Sequence, residues 1–165
     1  MRIMTDIRDG AIKINRECVH VVFLGLPNVP GVAAGIFNAL SERDISVEMI
    51  TQNTMRGGRA DLSFLIRRDR LDEVIPLCRE VSERAGAQGV SFATEIAAIA
   101  VPVSPGGSGP SGAPQTLAKV FSALAGAGVN VEIINSSPES VICIVSLIHA
   151  EEGLRALREA FAPAP

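Results

Sequence analysis

The sequence predicts an α+β protein made of two tandem copies of one unit: strand, helix, strand, strand, helix, strand. Three observations lead there. "IFNALSERDISVEMI" (Ile36 to Ile50) recurs as "VFSALAGAGVNVEII" (Val120 to Ile134) at one constant offset and without a gap. Phe37/Phe121, Ala39/Ala123, Leu40/Leu124, Val47/Val131, Glu48/Glu132 and Ile50/Ile134 are identical, as expected of a repeated supersecondary unit. Apolar residues switch repeatedly between period-two and helical spacing, with Pro, Gly and Asn at the changes. Finally, 165 residues with 47% hydrophobic and 20% charged content suffice for one large core or two small ones.

Taken in order, residues 1–10 read as a flexible arm. "AIKIN" (Ala11 to Asn15) alternates, placing Ile12 and Ile14 on one face of a short strand. Arg16 and Glu17 break it, and Cys18 to Leu26 is apolar enough for a central strand. Pro27 and Pro30-Gly31 stop that strand. Pro30 suits a first helical position, with Asn28 as its cap. Ala33, Ile36, Phe37 and Leu40 form the stripe of a helix. Ile45, Val47 and Met49 then alternate as a strand, "TMRGG" (Thr54 to Gly58) is a turn, and Ala60, Leu62, Phe64 and Ile66 return as the second arm of a hairpin. Asp69 is placed to cap the next helix, striped by Leu71, Val74, Ile75, Cys78 and Val81 and stopped by Gly86. Pro76 should kink or split it, since proline removes a backbone bond. Val90 to Thr94 closes a β-α-β-β-α-β unit, the ferredoxin-like arrangement.

The second unit opens with a strand from Ile96 to Val103, then a glycine-rich connector from Ser104 to Pro114. Leu117, Val120, Phe121 and Leu124 stripe its first helix, which starts on Pro114 and ends at Gly126 and Gly128. Val129 to Ser136 and Val141 to Ile148 are the next strands, and His149 to Phe161 is a helix with Leu154, Leu157 and Phe161 on one face. This copy is expected to lack a last strand, leaving a sheet edge that proteins normally cover or pair. The spare N-terminal strand is expected to complete it, so that the first unit is inserted into the second. Residues 11–17 then join the second unit, 18–95 form the first unit and 96–165 the second.

Composition narrows function. A net charge of −3 argues against a nucleic-acid partner, and six Phe without Trp or Tyr make a base-stacking platform improbable. Cys18, Cys78 and Cys143 are odd in number and set among apolar neighbours, which reads as three reduced core thiols. With only His20 and His149 beside them, they make no four-ligand metal set. No apolar leader or membrane-length run is present, so the expected protein is cytoplasmic, without membrane contact and without a cofactor.

Four groupings carry residues with chemical potential. The Ser104–Ala113 loop lacks the Gly-Lys-Ser/Thr ending of a phosphate cradle and reads as a connector. His20 and His149 have no nucleophile or acid at a recognisable spacing and read as surface or strand-edge residues. Glu48 and Glu132 hold equivalent places in the repeat and read as polar strand-face residues. The turn Asn28-Val29-Pro30-Gly31 differs, because it joins a buried strand to a helix N-terminus whose free N–H groups favour an anion such as a carboxylate. Thr51-Gln52-Asn53 ends the neighbouring strand, with amides suited to a ligand's polar groups. From spacing alone, a ligand site and an ordinary capped turn beside polar hairpin residues stand level.

At these residues the sequence resembles the tandem ACT domains that form the regulatory region of aspartate kinase. The resemblance rests on "LGLPNVPG" (Leu24 to Gly31), "VEMITQN" (Val47 to Asn53), "ADLSFLI" (Ala60 to Ile66) and "GVNVEIINSS" (Gly128 to Ser137), in that order, and covers nearly everything from Ala11 onward. It implies a non-catalytic, dimeric sensor of a free amino acid, threonine- or lysine-like, with a catalytic kinase subunit as its further partner. Matched by position, the implied effector residues are Asn28, Val29, Pro30, Gly31, Val32, Ala33, Gln52, Asn53, Asp61, Asn130 and Val131. The family's turn aspartate is Asn28 here, removing a charge that pairs with an ammonium, and the second turn is rebuilt as "PSGAPQ" (Pro110 to Gln115) without Pro-Gly. Two rivals remain: a degenerate ACT module that keeps its dimer interface without a ligand, and a small enzyme on the same fold, which has no nucleophile, base or metal constellation to support it.

Overall fold

The computed structural model describes residues 10–103 and 113–162. In chain order its elements are β1 (Lys13–Asn15), β2 (Cys18–Pro27), α1 (Val32–Ser41), β3 (Glu48–Met55), β4 (Arg59–Arg67), α2 (Leu71–Ala85), β5 (Gly89–Ala93), β6 (Ile96–Pro102), α3 (Ala113–Gly126), β7 (Val131–Ser136), β8 (Ser140–Ser146) and α4 (Ala150–Ala160). They form two four-stranded antiparallel sheets, ordered β3-β4-β2-β5 and β1-β6-β8-β7, in two compact units. The expected N-terminal arm and glycine-rich connector lie outside the described residues.

In the first unit, alternate residues of β2 and β4 (Val19, Val21 and Phe23 with Leu62, Phe64 and Ile66) meet Ile36 and Leu40 of α1 and Val74, Leu77, Cys78 and Val81 of α2. Period two in the strands and 3.6 in the helices thus converge on one apolar layer. Phe64 is its aromatic centre, with ring centroids 6.1 Å from Phe23 and 5.8 Å from Phe37. Gly86 ends α2 in the left-handed region at φ 72°, where glycine carries no Cβ penalty. Arg68 ties the ends of the unit together. Its backbone N–H donates to Glu17 and its guanidinium to the carbonyl of Thr94.

In the second unit, Ala97, Ile99 and Val101 of β6 and Val141, Cys143 and Val145 of β8 pack with Val120, Leu124, Leu154 and Leu157. β1 pairs antiparallel with β6, Lys13 opposite Ala100 and Asn15 opposite Ala98, so the N-terminal strand completes this sheet. Arg16, just past β1, forms an ion pair with Glu151 on α4. Gly153 lets α4 lie close: a Cβ there would stand 3.3 Å from Leu124 and 3.5 Å from Ile99.

Several local expectations are corrected. α1 begins at Val32, after Gly31 at φ 95°, with no side-chain cap, so neither Pro30 nor Asn28 starts the helix. The strand expected from Ile45 begins at Glu48 and runs on to Met55, because Met49 adopts φ 52° in a register shift that breaks the alternation. Asp69 does not cap α2. Arg67, two residues earlier, takes its carboxylate, and a 3-10 turn (Arg68–Arg70) intervenes. That pairing holds the Asp69 carboxyl below its ordinary pKa through the hydrogen bond to Arg67. α2 runs unbroken through Pro76, which is exposed. Phe121 is 45% exposed rather than part of the stripe, which Val120 and Leu124 carry.

His20 is neither a surface nor an edge residue. It lies on β2 between Leu65 of β4 and Ala93 of β5, half-buried, and its Nε2 has no hydrogen-bond partner among the described residues. Desolvation lowers its pKa below 6.5, whereas the unfolded chain takes a proton near that value. The unfolded state therefore binds more protons, and stability should fall as pH drops from about 6.5 through the depressed folded value. Denaturant midpoints measured across that range should show the slope in the native protein and lose it in His20→Gln. The three cysteines are buried and take part in no disulfide, and burial pushes the Cys78 and Cys143 thiols up to about 12. A thiol reagent at pH 8 should leave the native protein almost unlabelled and take up three equivalents per chain in guanidinium, since only the thiolate reacts.

Candidate functional site

The site is built at one end of the first sheet. β2 ends at Pro27, the chain turns through residues 28–31, and α1 leaves from Val32. The Asn28 N–H donates to the Gly58 carbonyl at 2.8 Å, which fastens this turn to the β3–β4 hairpin. Gly31 sits at φ 95°, with nothing within 4 Å of where a Cβ would lie. Backbone conformation, not space, therefore selects glycine there. No side chain caps α1 and its first turn carries no acidic residue. The Val32 N–H reaches the Val29 carbonyl at 3.5 Å, and Gly35 bonds back to Gly31 at 3.0 Å. The amides of Ala33 and Ala34 have no intrahelical acceptor in a helix that starts here. They form the positive end of the helix dipole, where a carboxylate is favoured.

The strands divide the remaining expected residues. Gln52 stands opposite Leu62, whose side chain is in the core, so Gln52 is on the helix-covered face of this edge strand. Asn53 stands opposite Asp61, on the other face, which also carries the 2.6 Å contact between the Thr51 and Ser63 hydroxyls. α1 and Gln52 thus share one side of the sheet, with Asn53 and Asp61 on the other. Asp61 Oδ1 accepts the Gly25 N–H at 2.8 Å. Asn130, exposed, and Val131, half-buried, lie at the entry to β7 in the second unit.

Sequence reasoning missed Gly25 and Arg59. Gly25 has φ 57° in a register shift between Phe23 and Leu26, and Arg59 Nη1 donates to its carbonyl at 2.5 Å. "LGL" inside a strand carried the signal, since an isolated glycine there marks a bulge. Glu48 and Glu132 lie on strands of separate units, Glu48 half-buried and Glu132 exposed. His149 is exposed. Among the described residues no group of three or more His, Cys, Asp or Glu could hold a metal ion, and no helix is long and apolar enough to cross a membrane.

The first unit is thus a ferredoxin-like α+β domain whose first helix starts without a side-chain cap behind a glycine-bearing turn. Models of the ACT domain match residues 20–81 and residues 103–161. The chain belongs to the ACT-domain family, as a tandem pair of the kind found in aspartate kinase. It is 30% identical over 152 residues to an aspartokinase of Thermus thermophilus, covering 91% of this chain and 36% of that one. It therefore spans about a third of the length of that relative. The ligand-free regulatory subunit of aspartate kinase from Thermus thermophilus superposes with a TM-score of 0.81 at 30% identity, covering 91% of this chain and 96% of that one. A chain from a structure of aspartokinase alpha and beta subunits gives 0.80 at 26% identity, covering 92% and 97%.

Two glycines near the turn give opposite expectations. Gly31→Ala should destabilise by about 1–2 kcal/mol, the cost of a left-handed residue with a Cβ. Gly35→Ala, inside α1 with nothing within 4 Å of the added Cβ, should stabilise by about 0.5–1 kcal/mol. Urea denaturation of the two variants beside the parent checks the difference in sign.

Proposed function

We propose that this chain is the non-catalytic regulatory part of an aspartate kinase, binding a free amino acid in its first ACT unit and passing that occupancy to a catalytic subunit. The observation that carries the reading is the uncapped start of α1, set behind the Asn28–Gly31 turn on the same sheet face as Gln52. An α-carboxylate fits the free amides of Ala33 and Ala34, and the Gln52 amide suits the ligand's other polar groups. Asn28 is uncharged, so the turn brings no anion toward an ammonium and suits a neutral side chain better than a second cation. Threonine-like effectors are favoured over lysine-like ones on that ground.

The partners follow from the same reading. The relative with alpha and beta subunits supports a separate catalytic kinase chain, and a homodimer is the assembly in which Asn130 and Val131 of a second unit would help line a site. Regulation requires that the effector bind one state more tightly than the other; equal affinity shifts nothing. Units 18–95 and 96–165, the latter completed by residues 11–17, would be the two arms of that device.

Calorimetric titration of the purified chain with threonine, lysine, methionine and the branched-chain amino acids tests this directly. Saturable heat with one of them is expected, with affinity weakened about fivefold to tenfold in Gln52→Ala through loss of roughly 1 kcal/mol. No heat from any amino acid at high millimolar concentration would sink the proposal in favour of a module that keeps only the dimer contact.

A further inference from the structure

Both backbone polar groups of Gly25 are held by side chains. Its N–H goes to Asp61 Oδ1 at 2.8 Å and its carbonyl to Arg59 Nη1 at 2.5 Å. Those two side chains stand two residues apart on β4, opposite the point where the β2 register shifts. A bulge leaves one residue outside the ladder, and here the strand opposite supplies replacement partners. Arg59 also donates to the Gly86 carbonyl at 3.1 Å, which links the bulge to the end of α2. The bulge is closed from above by Gln88, whose N–H donates to Leu24 at 2.8 Å and whose Oε1 lies 2.5 Å from where a Gly25 Cβ would be. The chain then reaches the Asn28–Gly31 turn within three residues.

The second unit offers a control within the same molecule. There β6 and β8 stay in unbroken register from Ile96/Ser146 to Pro102/Ser140, with no bulge and no Arg–Asp pair. A sheet of this kind therefore forms without the brace, which among the described residues is found in the first unit. We infer that Arg59 and Asp61 are positioning residues, which hold the Gly25 bulge and so set the direction in which the Asn28–Gly31 turn leaves the sheet. Asp61 then acts on the effector through that turn rather than by touching it, on the face of β4 away from the helices. This inference rests on the proposed amino-acid site for its effect on affinity, but not for the brace itself.

The test uses the whole chain and three variants, titrated with L-threonine and L-lysine separately. Asp61→Asn keeps an oxygen that accepts the Gly25 N–H and should bind within about twofold to threefold of the parent. Asp61→Ala leaves that N–H unpaired and should bind at least about tenfold more weakly. If Asp61 instead paired with the effector's ammonium, Asp61→Asn would lose as much as Asp61→Ala, and that result overturns the inference. Amide resonances of Val29 and Gly31 and exchange of the Gly25 amide are followed in the same variants without ligand. They should move in Asp61→Ala and in Arg59→Lys, whose ammonium falls one bond short of the position of Arg59 Nη1, and stay near the parent in Asp61→Asn. A parent that binds neither amino acid counts against the proposed effector, while the ligand-free amides still decide the brace. Unmoved turn amides in both Asp61→Ala and Arg59→Lys would refute it.

Discussion

The pairing of β1 with β6 is the constraint on which the rest of the architecture depends. β6 is buried along nearly its whole length, and its backbone edge needs a partner that helices cannot supply. Three residues from the start of the described chain provide it. Because β6 follows the whole first unit in sequence, that solution inserts the first unit between two strands of one sheet. Tandem repetition in the sequence thus becomes nesting in the fold.

Much of this was legible because it depends on periodicity. The alternation from Ala60 to Ile66 identifies β4 and its buried face, and the Ile36/Leu40 and Leu154/Leu157 pairs identify the helix faces that close each core. What escaped has a common physical origin: single residues whose conformation answers to a partner distant in sequence or to a broken pattern. Asp69 has the right chemistry for a cap, yet Arg67 competes for the same carboxylate. Met49 sits in a strand pattern, yet takes φ 52° because the ladder shifts there. Phe121 copies Phe37, but the aromatic partner that Phe37 finds in Phe64 has no counterpart in the second core, where β8 offers Val141, Cys143 and Val145.

The candidate site was legible in part. The turn and Gln52 could be named from spacing and from family resemblance, and register then puts Gln52 on the face of the sheet that α1 covers. Strand alternation separates Asn53 and Asp61 from them, something a linear motif conceals because neighbours in sequence point to opposite faces. Repetition of the motif across the two units also hides their inequality. The second ladder lacks the bulge, so the structural support around the first turn is not a general property of the fold.

The double hold of Arg68 on Glu17 and Thr94 bears on how such a nested chain assembles. Unassisted, β1 would have to find β6 across a loop of some eighty residues, and closing long loops slows folding. Once the first unit is folded, its entry and exit points are fastened to the same arginine. The remaining search is then the short one of two neighbouring strand ends. An inserted domain with joined ends acts as a template that raises the effective concentration of the segments flanking it. The order of synthesis favours the same sequence, since the first unit emerges complete before β6 does.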